Sequence, residues 1–274
     1  MPALLNTARQ WLADAEPAIL IEVSESRGSV PREAGTRMLV SASRTAGTIG
    51  GGHLELKAMA HARALLRGDG GLPTSLHFPL GPALGQCCGG AVSLRFDPLM
   101  AEHLTTWPSA MPKFHLQLYG AGHVGRAIAR LLATLPVRVD WIDERDDEFP
   151  RTLIDGAWPG HIRRVAVDAV ESEVREAPPG TFYLVLTHQH DLDLRITEAI
   201  LRRGDFGFLG LIGSKTKRER FIHRFEQRGI AADAIARMTC PIGVPGIAGK
   251  EPEVIAVAVV AQLLAQLLAQ PQPV

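Results

Sequence analysis

The rhythm of apolar positions changes near residue 114. Before it, residues 3–15 read as an amphipathic helix that Pro17 helps to end. Residues 18–23 form a compact apolar run, the pattern of a buried strand. Residues 26–37 make a loop crowded with Gly, Pro and Arg. Short strands are expected at 38–40, 48–49, 76–78 and 92–96, with a helix over 54–66. From residue 114 onward apolar runs alternate with helical patterns. Strands are expected at 114–119, 137–142, 162–167, 181–187 and 206–212. Helices are expected at 124–135, after 187 through Arg203, at 215–228 and at 252–268. The alternation predicts a doubly wound parallel sheet.

The predicted fold class is therefore α/β, an N-terminal α+β domain followed by a Rossmann-like domain. The expected boundaries are 1–98, a Pro-containing linker at 99–113, and 114–274. With 274 residues there is room for two ordinary domains. A hydrophobic share of 46% with a formal net charge of zero fits a globular chain and gives no basic field for nucleic acid. Arg9, Asp14 and Glu16 interrupt the N-terminal stretch, so no signal peptide is expected. The apolar run at 254–269, broken by Gln262 and Gln266, reads as a buried or interface helix rather than a membrane span. It favours a homodimer. A cytoplasmic protein is expected, with Cys87, Cys88 and Cys240 reduced.

Two glycine-rich segments lie ahead of helical patterns, where unpaired N–H groups and the helix dipole favour anions. The first is Gly47-Thr-Ile-Gly-Gly-Gly-His-Leu-Glu55, containing Gly50, Gly51, Gly52 and Glu55. The preceding loop adds Arg27, Arg32 and Arg37, whose guanidinium groups suit phosphate. The second is Gly120-Ala-Gly122-His-Val-Gly125, followed at the end of the next strand by Asp143. This is the dinucleotide fingerprint. Gly120 makes the turn, Gly122 admits pyrophosphate, Gly125 lets helix and strand pack, and Asp143 accepts from ribose hydroxyls. A third segment, Gly85-Gln86-Cys87-Cys88-Gly89-Gly90, carries adjacent thiols. These suit a soft metal or carried sulfur, or else are small residues at a glycine corner. No second Cys or His pair gives them zinc spacing. Thr187-His-Gln-His-Asp191 resembles the opening of a dinuclear hydrolase motif but departs from it at Leu192 and Asp193; a helix cap by Asp191 is the plainer reading. Lys215, Lys217, Arg218 and Arg220 read as a solvated face or dimer contact, with an anion site at the start of their helix as the alternative.

Taken together, Gly28-Ser-Val-Pro-Arg-Glu-Ala-Gly-Thr-Arg-Met38, the triple-glycine segment and Gly85–Gly90 resemble the XdhC family. These are accessory proteins of xanthine dehydrogenase and related molybdenum hydroxylases. Tyr119–Gly125, Leu186–Asp191, Gly210–Lys215 and Cys240-Pro-Ile-Gly243 continue the resemblance in family order. It implies a chaperone that binds the molybdenum cofactor (molybdopterin), supports its sulfuration with a cysteine desulfurase, and delivers it to an apo molybdenum hydroxylase. It also implies no turnover by the chain itself. Arg32, Arg37, the glycines, Glu55 and Gln86 would face the cofactor, and Cys87 or Cys88 would contact molybdenum or relay sulfur. The Rossmann half is left open to a nucleotide. The competing expectations are an NAD(P)-dependent oxidoreductase and a nucleotide-sensing module.

Overall fold

The computed structural model describes residues 2–80, 89–107, 112–154 and 156–269. The chain divides into two compact units, Met1–Ala110 and Met111–Val274.

In the first unit, helix α1 (Pro2–Ala13) precedes strands β1 (Ala18–Arg27), β2 (Arg37–Ser41) and β3 (Thr45–Gly47). Helix α2 (Gly52–Leu66), strands β4 (Ser75–Pro79) and β5 (Ala91–Pro98), and the short helix α3 (Glu102–Thr105) follow. The strands form one antiparallel sheet in the order β3-β2-β1-β5-β4. Side chains alternate across a strand, and here both faces of β2 and of the first half of β1 are buried. Ile19, Ile21 and Val23 join Met38, Val40, Leu94 and Phe96 beneath α2. Helix α2 meets them with Leu54, Ala58 and Ala62, spaced four apart on one stripe. On the opposite face Leu20 and Leu39 pack with Ala8 and Trp11 of α1 and with Trp107.

Two expectations for this unit need correction. The third strand is Thr45–Gly47, not 48–49, because Thr45, Ala46 and Gly47 pair with Val40, Leu39 and Met38. The first strand runs on to Arg27, through an irregularity between Val23 and Glu25 in its pairing with β5.

The second unit is built from β6 (His115–Tyr119), α4 (His123–Leu132), β7 (Arg138–Asp143), β8 (Ile162–Ala166) and α5 (Glu173–Glu176). It continues with β9 (Phe182–Val185), α6 (His190–Arg203), β10 (Phe208–Leu211), α7 (Lys215–Gln227), α8 (Ala232–Ala236), β11 (Met238–Thr239) and α9 (Pro252–Ala269). All six strands are parallel, in the order β11-β10-β9-β6-β7-β8. Counted within the unit this is the 3-2-1-4-5-6 order of dinucleotide-binding folds, with its switch point between β6 and β9. The protein is α/β, as its sequence predicts. Covered on both sides, β9 and β10 read as continuous apolar runs, while β6 and β7 bury Gln117 and Asp140 among their apolar residues. Leu116, Leu118, Trp141 and Leu184 face α4 and α9. Tyr119, Ile142, Val185 and Leu209 face the side of α6 and α7. Ala256, Val259, Val260 and Leu263 bury one side of α9, and among the described residues no helix is long and apolar enough to cross a membrane.

Leu118, fully buried in the central strand of this sheet, sets a stability test. Leu118→Ala is expected to cost about 2–5 kcal/mol in denaturant unfolding followed by tryptophan fluorescence.

Candidate functional site

Three separated motifs of the first unit meet at one end of its sheet. The loop between β1 and β2 contains Pro31, and a Cβ at Gly50 would stand 2.6 Å from the Pro31 ring. Gly50 has φ +122°, a region open to glycine. Gly90, directly before β5, lies so close to the Arg27 and Ser29 carbonyl oxygens that a Cβ would collide with both. Ser26 Oγ donates to Glu33 Oε2 at 3.0 Å, and Thr36 Oγ1 to the Glu33 carbonyl at 2.7 Å, bracing the loop. The arginine loop, the triple-glycine turn and the end of the Gly85–Gly90 segment thus form one locus. Gln86, Cys87 and Cys88 lie outside the described residues.

The glycine turn already holds an anion. Glu55 Oε2 accepts from Thr48 Oγ1 (2.7 Å), Gly51 N (3.0 Å) and Ile49 N (3.3 Å). Gly50 N donates to Thr48 Oγ1 at 3.1 Å. The N–H groups expected to cradle a ligand are therefore taken up by the chain's own carboxylate, and Glu55 braces the turn from within. Among the described residues nothing crowds Gly51, and Gly52 begins α2. Arg32 is exposed beside Gly50, with no hydrogen bond or ion pair among the described residues. Arg37 is placed differently from the loop expected for it. It opens β2, is 8% exposed, and its Nε donates to Glu22 at 2.6 Å. Its guanidinium lies 4.9 Å from the Trp107 ring centre. Arg37 Nη1 is buried without a partner among the described residues.

In the second unit the fingerprint glycines pack as expected. Gly120, at φ +117°, would collide with the Leu186 carbonyl if it carried a Cβ, and Gly125 with the Gly120 carbonyl. Trp141 Nε1 donates to that same Gly120 carbonyl at 2.9 Å. Gly122 caps α4 and is open above.

Asp143 departs from the role assigned to it. Its Oδ2 accepts from Ala121 N (2.6 Å) and Arg145 Nη2 (3.0 Å), and its Oδ1 from Arg145 N (2.9 Å) and Nε (3.0 Å). Arg145 also reaches Glu148, which pairs with Arg126. Burial alone would raise the Asp143 carboxyl. The Arg145 and Ala121 hydrogen bonds and the Arg145 charge outweigh it and hold the group below the usual carboxylate range. Both oxygens are thus engaged, and the carboxylate is 4% exposed, so it is not presented to ribose hydroxyls. The crevice at the switch point, between Asp143, Glu144, Thr187 and His188, admits no water-sized guest.

A buried polar link closes the outer carboxyl edge of the sheet. Asp193 is 0% exposed. Its Oδ1 accepts from Thr187 Oγ1 (2.7 Å) and Thr187 N (3.0 Å), and its Oδ2 from Lys217 Nζ at 2.5 Å. Lys217 Nζ also donates to the Ile212 carbonyl at 2.8 Å. These contacts correct two readings. Asp193, not Asp191, stabilises the start of α6, and Lys217 is a buried partner rather than part of a solvated face. The signal was present in the helical spacing. Asp193 shares its face with Ile196, Thr197 and Ile200, all 0% exposed, and Lys217 shares its face with Phe221 and Phe225. Cys240 lies nearby, its Sγ 3.9 Å from the Ser214 carbonyl. Burial pushes that thiol up, against the lowering charges of Lys217 and Arg218. Among the described residues no group of three or more His, Cys, Asp or Glu is arranged to hold a metal.

Residues 116–263 match the XdhC Rossmann domain, and residues 11–78 match the XdhC and CoxI family. The chain is 29% identical over 256 residues to the uncharacterized protein YqeB of Escherichia coli (strain K12). That likeness covers 90% of this chain and 43% of YqeB, so the chain spans under half the length of that curated relative. A solved Bacillus halodurans structure described as a xanthine dehydrogenase superposes with a TM-score of 0.74 at 18% identity. It covers 98% of this chain and 96% of the other. At that identity the likeness is one of fold.

Two tests address these contacts. Lys217→Met should cost about 3–5 kcal/mol, by leaving Asp193 buried without its cation. Asp193→Asn with Lys217→Met, which buries no charge, should be milder than Lys217→Met alone in urea unfolding. For Asp143 the folded-state carboxyl lies below its unfolded value. Its contribution is complete above about pH 3.9 and is lost as pH falls through the folded value. Asp143→Asn should therefore lower stability at pH 7 by about 1.5–3 kcal/mol, with a deficit that shrinks below about pH 4. An undiminished deficit at pH 2.5 would contradict this assignment.

Proposed function

This chain belongs to the XdhC family, and from that membership we propose that it is an accessory protein that carries the molybdenum cofactor. In this reading it binds the finished cofactor and shields it from solvent and oxygen. It supports replacement of a molybdenum oxo ligand by sulfur together with a cysteine desulfurase. It then delivers the cargo to an apo molybdenum hydroxylase of the xanthine dehydrogenase type, and performs no turnover of its own. Its place of work would be a reducing cytoplasm.

The observation that carries the proposal is the convergence at the end of the first sheet. Pro31 packs on Gly50, and Ser29 packs on Gly90. Gly90 follows the paired thiols in sequence by two residues. The cargo is anionic, and Arg32, beside Gly50, has a guanidinium with no partner among the described residues. Glu55 serves the site indirectly, by holding the turn that presents Gly51 outward. Molybdenum and sulfide are soft, which suits Cys87 or Cys88 as their contact. Hydride transfer with a dinucleotide draws no support from the second unit, since Asp143 is engaged by Arg145 and Ala121.

The test is anaerobic incubation with released molybdenum cofactor, followed by desalting. Molybdenum is measured by mass spectrometry and pterin by the fluorescence of its oxidised derivative. Co-retention near one of each per chain is expected. Arg32→Ala should weaken retention about tenfold, the equivalent of one charge-assisted hydrogen bond of about 1.5 kcal/mol. Retention of neither component by folded protein would overturn the proposal.

A further inference from the structure

The second unit has a cleft that the carrier reading leaves unused. It lies between the start of α6 and one face of α7, at the carboxyl end of the sheet, and encloses about 400 Å³. That falls within the roughly 300–1,000 Å³ of small-molecule sites. The switch-point crevice beside it, where an open parallel sheet ordinarily binds its ligand, is closed. Among the described residues, a cleft of ligand size lies over α6 and α7.

The lining of the cleft is cationic and incompletely paired. Arg220 is exposed and has no hydrogen bond or ion pair among the described residues, and the same holds for His190. Arg224 Nη1 stands 3.5 Å from Asp191 Oδ1, a loose pair whose side chains are 53% and 83% exposed. Exposed pairs of this kind contribute about 0–1 kcal/mol, so Arg224 can readily be recruited by a stronger anion. Asp191 is the carboxylate among the lining residues. Lys217 is already matched by Asp193 beneath the cleft and adds little free charge. Thr216 contributes a hydroxyl donor. Ser214 caps α7 by accepting from Lys217 N, one of the first-turn N–H groups that have no intrahelical acceptor.

We propose that this cleft binds the phosphate group of a small phosphorylated molecule. Arg220 is its principal ligand, Arg224 one turn further along α7 exchanges Asp191 for the phosphate, and the Thr216 hydroxyl completes the donor set. Two guanidinium groups approaching from one helix face suit a tetrahedral dianion, because each donates planar paired N–H groups. Asp191 works against that charge and keeps Arg224 partly occupied while the cleft is empty. The inference is independent of cofactor carriage by the first unit, since it concerns different residues and a different readout.

The experiment is isothermal titration of the full chain with inorganic phosphate, adenosine 5′-monophosphate and adenosine, at low and moderate salt. Phosphate and the monophosphate should bind, and adenosine should not. Equal affinity for the first two identifies a site for phosphate alone; tighter binding of the monophosphate identifies a nucleotide as the source. Arg220→Ala should weaken binding at least tenfold. Arg218→Ala, which removes the same charge from α7 outside the cleft lining, should leave it unchanged. Asp191→Asn should tighten binding severalfold, a sign that a merely structural role would not produce. Arg220 is exposed and has no partner among the described residues, so its replacement should leave the fold intact, as circular dichroism will check. No heat and no shift in melting temperature with either phosphate-bearing probe at 10-millimolar order, or equal losses in the Arg220 and Arg218 variants, would overturn the assignment.

Discussion

A backbone N–H shut away from water without an acceptor costs about as much as a lost hydrogen bond. Three loops of this chain avoid that cost in the same way, with a carboxylate drawn from the chain itself. Glu55 takes Ile49 N and Gly51 N in the triple-glycine turn. Asp143 takes Ala121 N in the fingerprint loop. Asp193 takes Thr187 N at the end of β9. Each loop is glycine-rich or stands ahead of a helix, where a free anion would otherwise settle. The geometry of both glycine segments depends on these internal anions, and so does the question of which surfaces remain for a ligand.

The consequence differs between the two units. In the first, Glu55 Oε2 braces the turn from within, and among the described residues nothing crowds Gly51 and Arg32 has no partner. The turn is braced by these hydrogen bonds, with Arg32 beside Gly50. In the second, Asp143 is engaged on both oxygens and flanked by Arg145, Glu148 and Arg126. The strand order of a dinucleotide-binding fold is kept, but the group that would read a ribose is spent on the loop.

The cores explain why these loops can be held so tightly. The antiparallel sheet of the first unit is covered by α1 on one face and α2 on the other. The parallel sheet of the second is covered by α4 and α9 on one side and α6 and α7 on the other. A strand buried on both faces has its register set by packing, since a slip of one residue would turn every side chain over. The loops leaving the strands' carboxyl ends inherit that precision. Gly125 against Gly120, and Gly120 against Leu186, are backbone approaches that tolerate no side chain.

The alternation of apolar runs and helical stripes, and with it the α/β class, was legible from residue types alone. A parallel strand covered on both faces is mostly apolar, and a helix on a sheet must bury one stripe. Leu54, Ala58 and Ala62 show that stripe directly, and the glycine spacing of the fingerprint loop reflects a backbone approach that only glycine allows. Strand β3 was misplaced because Thr45, Ala46 and Gly47 carry no apolar signal; pairing with β2 makes them a strand. The roles of the charged residues belonged to the tertiary structure. Periodicity can show that Asp193 or Lys217 points inward, but not what it meets there. Asp143 finds Ala121 across 22 residues and Asp193 finds Lys217 across 24, because strand order brings those chain segments together. A buried charge takes the partner that the fold delivers to it. That is why the same carboxylate which by sequence alone reads as a ligand group is, in the folded chain, a brace.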